Sequence, residues 1–196
     1  MPKPFILASA SPRRLELLRQ IGLDPLVVPA QVEEICEGLK PEELVRENAQ
    51  LKAKAVAKDH PEGLIIGADT LVYQDGRIFA KPKDPQEARL ILNLLSGNAH
   101  SVYTGLALLD AASGCLVSGW RRTEVIFAPL DSAQIEAYIQ SGEPFDKAGG
   151  YGIQGKGGLF VEKIQGDYGT VVGLSFPLLN ELMNKLGFPL TINYSF

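Results

Sequence analysis

Asp69 stands in IIGADTLV, after the apolar run Leu64-Ile65-Ile66 and inside a Gly-Ala-Asp-Thr turn, where a purely structural strand would carry another apolar side chain. Buried carboxylates are rare unless paired or metal-bound, so Asp69 is the foremost candidate for a catalytic acid. Its plainer reading is a cap on a Gly-Ala-Asp-Thr turn. A second acidic position is the pair Glu33 and Glu34 in VPAQVEEICEG, which could equally be solvated charge on a loop. The matching cations are Arg13 and Arg14 in LASASPRRLELL, Lys52 in a helical stretch, and Lys81 before Pro82. Either lysine alone reads as surface, but Lys81 follows a short hairpin closely enough to return towards Asp69. Acids that can hold a hard divalent cation, set among cations that bind phosphate oxygens, suit phosphoryl transfer or phosphoanhydride hydrolysis. The two histidines, His60 and His100, have no ligand neighbours, and Cys36 and Cys115 lack Cys-x-x-Cys spacing. A zinc site or a Ser-His-Asp triad has little to build on.

The arginine pair is placed against the local field. Ser11 and Pro12 read as the N-cap and first residue of a helix whose apolar positions are Leu15, Leu18 and Ile21, with Gly22 as its stop. Arg13 and Arg14 then occupy the positive end of the helix dipole, at a cost of roughly a few tenths to about one kcal/mol each. Exposed arginines at helix starts are common, and solvent screens much of that cost. The preceding segment, Phe5 to Ala8, reads as a short buried strand. A strand, a serine-rich turn and a helix start aim backbone N–H groups and the Ser9 and Ser11 hydroxyls at one point, which is how phosphate sites are made. The Walker pattern is absent.

The elements that must position these groups emerge from pattern and punctuation. A second helix is predicted from near Pro41 to about Lys58, with Leu44, Asn48, Leu51 and Ala55 inward and Lys52 at the edge of that stripe. Residues 64–82 read as a buried strand and a hairpin turning at Asp75-Gly76. A helix opens at Asp84-Pro85 and closes at Ser96-Gly97. Two strands are predicted over 101–109 and about 115–128, then a helix from Asp131 to Gly142. Residues 142–173 hold ten of the chain's 20 glycines, a density that implies close approach to the backbone. A last helix fits Pro177 to Leu186, and the tail GFPLTINYSF is left without an assignment. No repeat or linker divides the chain, so residues 1–196 are read as one domain.

Bulk properties exclude several classes. The chain is 45% hydrophobic and 21% charged, with net charge −4 and a pI near 5.3. A general nucleic-acid or anionic-membrane surface is disfavoured, so any anion site must be a local concentration of Lys and Arg. The N-terminal apolar run is too short for a signal peptide and no stretch approaches 18 apolar residues, which points to a cytoplasmic protein with reduced thiols.

The spaced motifs resemble those of the Maf family of nucleoside triphosphate pyrophosphatases. The resemblance rests on LASASPRRLELL, VEE at 32–34, Lys52-Ala53, IGADTLV, AKP, LSGNAHSVYTGLAL, EPFDKAGGYGIQGKGG and VVGL, in order over residues 4–174. It implies an α/β fold with a mixed, strongly twisted central sheet flanked by helices, and two lobes around a deep cleft, similar to inosine triphosphatases. It implies hydrolysis of a nucleoside triphosphate to the monophosphate and pyrophosphate with a divalent metal, Mg²⁺ or Mn²⁺. Asp69 matches the family's catalytic acid, and Glu33, Lys52 and Lys81 match its other charged site positions. On this reading Asp69 and Glu33 hold the metal, while Ser9, Arg13, Arg14, Lys52, Thr70, Lys81 and Gln154 bind substrate. Arg13, Thr70 and Gln154 match positions that differ between subfamilies, and this combination resembles members acting on dTTP and UTP rather than 7-methyl-GTP. One departure is Ser175-Phe176-Pro177, where the family has Pro directly after VGL; it bears on the last helix and on dimer packing near it.

The expectation is therefore a metal-dependent dTTP/UTP pyrophosphatase that also takes modified pyrimidine triphosphates. Its partner is the nucleotide, without nucleic acid or membrane, and a homodimer is left open. The rivals are a nucleotide-binding regulator of cell division without turnover, a 7-methyl-GTP pyrophosphatase, and a nucleic-acid-binding protein.

Overall fold

The apolar run beginning at Leu64 becomes the middle strand of the molecule in the computed structural model, which describes residues 3–190. This strand, β3 (Leu64–Gln74), has neighbours on both sides. On one side lie β1 (Phe5–Leu7) and, beyond it, β2 (Leu26–Val27), both parallel. On the other side β5 (Ala99–Asp110), β6 (Cys115–Phe127) and β7 (Val161–Gln165) succeed one another as antiparallel neighbours. The sheet is thus mixed, in the order β2-β1-β3-β5-β6-β7. A short β4 (Arg77–Phe79) folds back on the far end of β3. The turn between β3 and β4 is made by Asp75 and Gly76, both at positive φ (49° and 82°), the conformation a two-residue hairpin demands.

That arrangement interrupts one edge of β3. β1 pairs with Leu64–Ile66 and β4 with Val72–Gln74, so among the described residues positions 67–71 have no strand partner on that side. Asp69 and Thr70 lie in this gap. Asp69 is not in a turn, as its Gly-Ala-Asp-Thr context led us to expect. It is mid-strand, opposite Gly105 of β5, because an unbroken ladder from Leu64–Asp110 to Tyr73–Ser101 keeps the backbone extended through it.

Helices cover both faces. α1 (Pro12–Gln20), α3 (Pro85–Leu95), α4 (Ser132–Gln140), α5 (Tyr168–Val172) and α6 (Phe176–Lys185) pack on one side in two clusters. The first joins Leu17 and Leu18 of α1 and Leu178 and Leu182 of α6 to Leu64, Ile66 and Ala68. The second joins Ile91 and Leu92 of α3 and Ile135 and Tyr138 of α4 to Val72, Val102 and Phe127. The opposite face is covered by α2 (Pro41–Ala57), whose buried residues are Leu44, Val45, Asn48, Ala49, Lys52, Ala53 and Val56. The stripe is rotated from the predicted one: Leu51 and Ala55 are only partly buried, and Lys52 is central rather than marginal. The cause is backbone contact. A Cβ on Gly67 would stand 2.1 Å from the Ala49 carbonyl oxygen, and one on Gly105 2.2 Å from that of Val45. The helix therefore rests directly on two glycines and presents the face that lets it do so.

α6 begins where the sequence departs from the family pattern. Ser175 is fully buried and its hydroxyl accepts the Leu178 N–H at 3.3 Å, so it is the N-cap, with Phe176 and Pro177 opening the first turn. Of the tail, residues 191–196 lie outside the described residues. Among the described residues no helix is long and apolar enough to cross a membrane.

Candidate active site

A cavity of about 380 Å³ opens at the gap in the β3 edge, bounded by the Ala8–Arg14 turn, by the 29–34 segment, and by the glycine-rich segment carrying Lys147, Tyr151 and Gln154. Its floor on the α2 side is a chain of charges. The Lys52 ammonium lies 2.6 Å from Asp69 Oδ1 and 2.7 Å from Glu34 Oε1. Lys52 and Asp69 are both buried, and Glu34 closes the chain at the solvent side. Asn48, one helical turn before Lys52, donates its amide to Asp69 Oδ2 at 3.3 Å. Its orientation is fixed, since Oδ1 accepts the Ile35 N–H at 2.8 Å while Nδ2 also donates to the Ile35 carbonyl at 3.0 Å. Asn48 thus joins the segment bearing Glu34 to the catalytic candidate.

On the other face of β3, Arg14 reaches across the open edge. Its Nη1 donates to the Ala68 carbonyl at 3.1 Å and to Ser9 Oγ at 2.9 Å, Nε donates to the Gly173 carbonyl at 3.0 Å, and Nη2 donates to Thr70 Oγ1 at 3.0 Å. Desolvation in this packed setting pulls the guanidinium below its usual range, with Asp69 pulling it back up. Arg14 therefore supplies charge to the cavity while most of its donors hold the protein together. The Thr70 hydroxyl has a defined polarity. Thr104, fully buried, donates its one proton to the Thr170 carbonyl at 2.7 Å, so the 2.9 Å contact between Thr70 and Thr104 must be donated by Thr70. Thr70 meets the cavity as an acceptor.

The remaining predicted residues fall around the same space. Ser9 lines it and also accepts the Ser11 N–H at 3.2 Å, and Arg13 lines it while pairing with Asp146 at 3.3 Å. Lys81 lines it from an exposed position, and Gln154 forms part of the opposite wall. Ser9, Arg13, Arg14, Lys52, Thr70, Lys81 and Gln154 are thus brought together, and Asp69 sits beneath Lys52. Glu33 is not among them. It is exposed and outside the cavity lining, and its neighbour Glu34 faces Lys52 instead. Residues 28–40 have no regular strand or helix pattern, so no local signal decides which of two adjacent acids turns inward.

Sequence reasoning also missed Lys147, whose Nζ lies 2.5 Å from Asp146 Oδ1 and which adds a fifth cation to the lining. The signal was present, because Asp146 and Lys147 stand inside the EPFDKAGGYG motif. Asn48 could have been found too, as a polar residue four before Lys52 on a face read as inward. Tyr151 lines the cavity and shares a 2.8 Å hydrogen bond with His100 Nε2. Burial raises the Tyr151 phenol and lowers the His100 imidazole to about 4, so both are neutral structural groups near neutral pH.

The carboxylates that could hold a hard divalent cation are Asp69 and Glu34. Mg²⁺ is commonly held by one or two carboxylates together with substrate oxygens, and Asp69 and Glu34 are two carboxylates already bridged by a positive charge. Among the described residues no cluster of three His, Cys, Asp or Glu forms a self-sufficient metal cage.

Known proteins resemble this chain over nearly its whole length. A family model described as Maf-like protein matches residues 4–186. A protein of Dictyoglomus thermophilum named dTTP/UTP pyrophosphatase is 47% identical over 97% of this chain and all of its own length. One of the same name from Bacillus cytotoxicus is 51% identical over 88% of this chain and 90% of its own. A Rippkaea orientalis protein named nucleoside triphosphate pyrophosphatase is 44% identical over 94% and 90%. Among solved structures, the Staphylococcus aureus Ham1 protein aligns with a TM-score of 0.46 at 18% identity, over 64% of this chain and 72% of that one.

Proposed function

This chain belongs to the Maf-like protein family, and on that premise we propose that it hydrolyses nucleoside triphosphates to the monophosphate and pyrophosphate, with dTTP, UTP and modified pyrimidine triphosphates as its substrates. The observation that carries the proposal is the gap in the β3 edge. There a buried acid lies under one cavity lined by Arg13, Arg14, Lys52, Lys81 and Lys147. Five cations against the lining acids Glu34 and Asp146 leave the cavity net positive in a protein of net charge −4, which suits a polyanionic ligand.

Position in the cavity supports the following roles. Arg13, Lys81 and Lys147 are the cations best placed to meet phosphate oxygens and the departing pyrophosphate, while Arg14 holds the Ser9 turn and Thr70 in register. Lys52 bridges Asp69 and Glu34 and holds the two carboxylates close together. Asp69 accepts the proton of the water that attacks the α-phosphorus, aligned by Asn48 on its second oxygen. A divalent cation, Mg²⁺ or Mn²⁺, would be held by Asp69 and Glu34 and would supply charge neutralisation at the phosphates. Gln154 carries both a donor and an acceptor, which suits the edge of uracil or thymine; Glu in its place would only accept. A regulator that binds nucleotide without turnover has no need of the acid, lysine and amide arrangement around Asp69.

The test is pyrophosphate release from a panel of canonical and modified triphosphates with Mg²⁺ or Mn²⁺. The expected order places dTTP, UTP and 5-substituted pyrimidines above ATP and GTP. Fastest release from 7-methyl-GTP would overturn the base assignment, and no release from any triphosphate would overturn the enzymatic reading.

A further inference from the structure

The glycine-rich wall that carries Gln154 is not shaped by its own short hydrogen bonds alone. Glu143, at the start of the turn Glu143–Asp146, sends its carboxylate into the concave side of the 152–158 loop. Oε2 accepts the Lys156 N–H at 3.0 Å; Oε1 accepts the Gly157 N–H at 3.3 Å and the Tyr138 hydroxyl at 3.0 Å. The Tyr138 oxygen in turn accepts the Gly152 N–H at 3.2 Å. Both ends of the loop are therefore anchored to one carboxylate, directly at 156–157 and through Tyr138 at 152. The glycines make room for it. A Cβ on Gly155 would stand 2.3 Å from Glu143 Oε1, and one on Gly157 2.8 Å from the Tyr138 oxygen. Burial opposes the charge on Glu143, yet the backbone donors of Lys156 and Gly157 outweigh it and hold the carboxyl below the usual glutamate value. The glycine density read in the sequence as room for a ligand is, at these two positions, room for Glu143 and Tyr138.

Gln154 sits at the apex of this loop, and among the described residues its side chain makes no hydrogen bond. Its place at the cavity wall is set by the loop alone. Glu143 is also linked to the phosphate side, but through its main chain, since Lys147 Nζ donates to the Glu143 carbonyl at 3.0 Å. We propose that Glu143 is a positioning residue for base recognition: its carboxylate sets the 152–157 loop so that Gln154 meets the base, without touching substrate itself. This rests on the nucleotide reading of the cavity.

The geometry separates the two ends of the ligand. Glu143→Gln must turn an amide NH₂ towards a donor, either Lys156 N–H or the Gly157 and Tyr138 pair, while the carbonyl that holds Lys147 is unchanged. The probes are a UTP analogue with a methylene bridge between the α- and β-phosphorus, and inorganic tripolyphosphate, both titrated calorimetrically with Mg²⁺. For Glu143→Gln we expect the analogue to bind about ten-fold more weakly, the scale of one or two lost hydrogen bonds, and tripolyphosphate to bind as in the wild type. KM for UTP should rise by the same factor with kcat retained. Tyr138→Phe, which removes the Gly152 anchor and the hydroxyl donated to Glu143 but leaves the carboxylate on Lys156 and Gly157, should shift the analogue in the same direction by about three-fold. Unchanged analogue affinity in the folded Glu143→Gln protein would overturn the proposal, as would equal weakening of tripolyphosphate. If Glu143→Gln does not fold, an unchanged Tyr138→Phe protein would overturn it. A wild type that releases no pyrophosphate counts instead against the underlying activity.

Discussion

Replacing Asp69 by Asn keeps the shape of the side chain and removes its charge, and the surrounding donors determine how the new amide must sit. Asp69 Oδ1 lies 2.6 Å from the Lys52 ammonium, so the Asn carbonyl must take that side. Its NH₂ then faces Asn48 Nδ2, which cannot flip because both polar groups of its amide are held by the Ile35 backbone. The variant thus loses one charge-assisted hydrogen bond and opposes two donors. Such bonds are worth about 1.5–3 kcal/mol, and Lys52 keeps Glu34 at 2.7 Å, so we place the loss at about 2 kcal/mol. For a domain of this size that is a fall in Tm of roughly 4–8 °C, which leaves a folded protein at room temperature. Turnover should fall by at least about 10²-fold, the scale of a lost general base. The assay is pyrophosphate release from dTTP and UTP beside a thermal melt of the same sample. Near-normal turnover in a folded variant would remove Asp69 from the mechanism. An unchanged melt would refute the donor conflict with Asn48.

The other expectations concern metal, packing and polarity. EDTA should abolish pyrophosphate release and added Mg²⁺ or Mn²⁺ should restore it; full activity in chelator would leave a purely cationic site. Gly105→Ala drives a methyl group to 2.2 Å from the Val45 carbonyl oxygen, so α2 must lift from the sheet. A loss of about 3 kcal/mol is expected, read as a Tm drop of roughly 6–12 °C, and an unchanged melt would contradict the contact. Thr104→Val strands the buried Thr170 carbonyl and frees the Thr70 proton, at about 1–3 kcal/mol, whereas Thr104→Ser should melt close to the wild type. Equal melts for the two variants would refute the weight given to the Thr104 hydroxyl in that hydrogen-bond chain.

The features legible in the chain are those that short-range physics decides. Ser11-Pro12 starts α1, Asp75-Gly76 turns the hairpin, Asp84 and Asp131 cap α3 and α4, and the Leu64-Ile65-Ile66 run lies in the sheet centre. Each depends on the conformational preferences of a few adjacent residues. The ordered motifs also singled out Asp69 and four cations that line one cavity, Arg13, Arg14, Lys52 and Lys81, because side-chain chemistry belongs to the residue and not to its neighbours in space. Tertiary structure decided the rest. Asp69 looked like a turn residue until a ten-pair ladder with β5 held it extended. Lys52 looked marginal until two glycines, 38 positions apart in the chain, let α2 settle with that lysine inward. The inward acid proved to be Glu34 rather than Glu33, a choice made by a lysine and an asparagine on another element. The site itself exists because β1 and β4 stop short of each other along β3. Such a gap has no local signature: it depends on which distant strands pair and where they end, and long-range packing settles both.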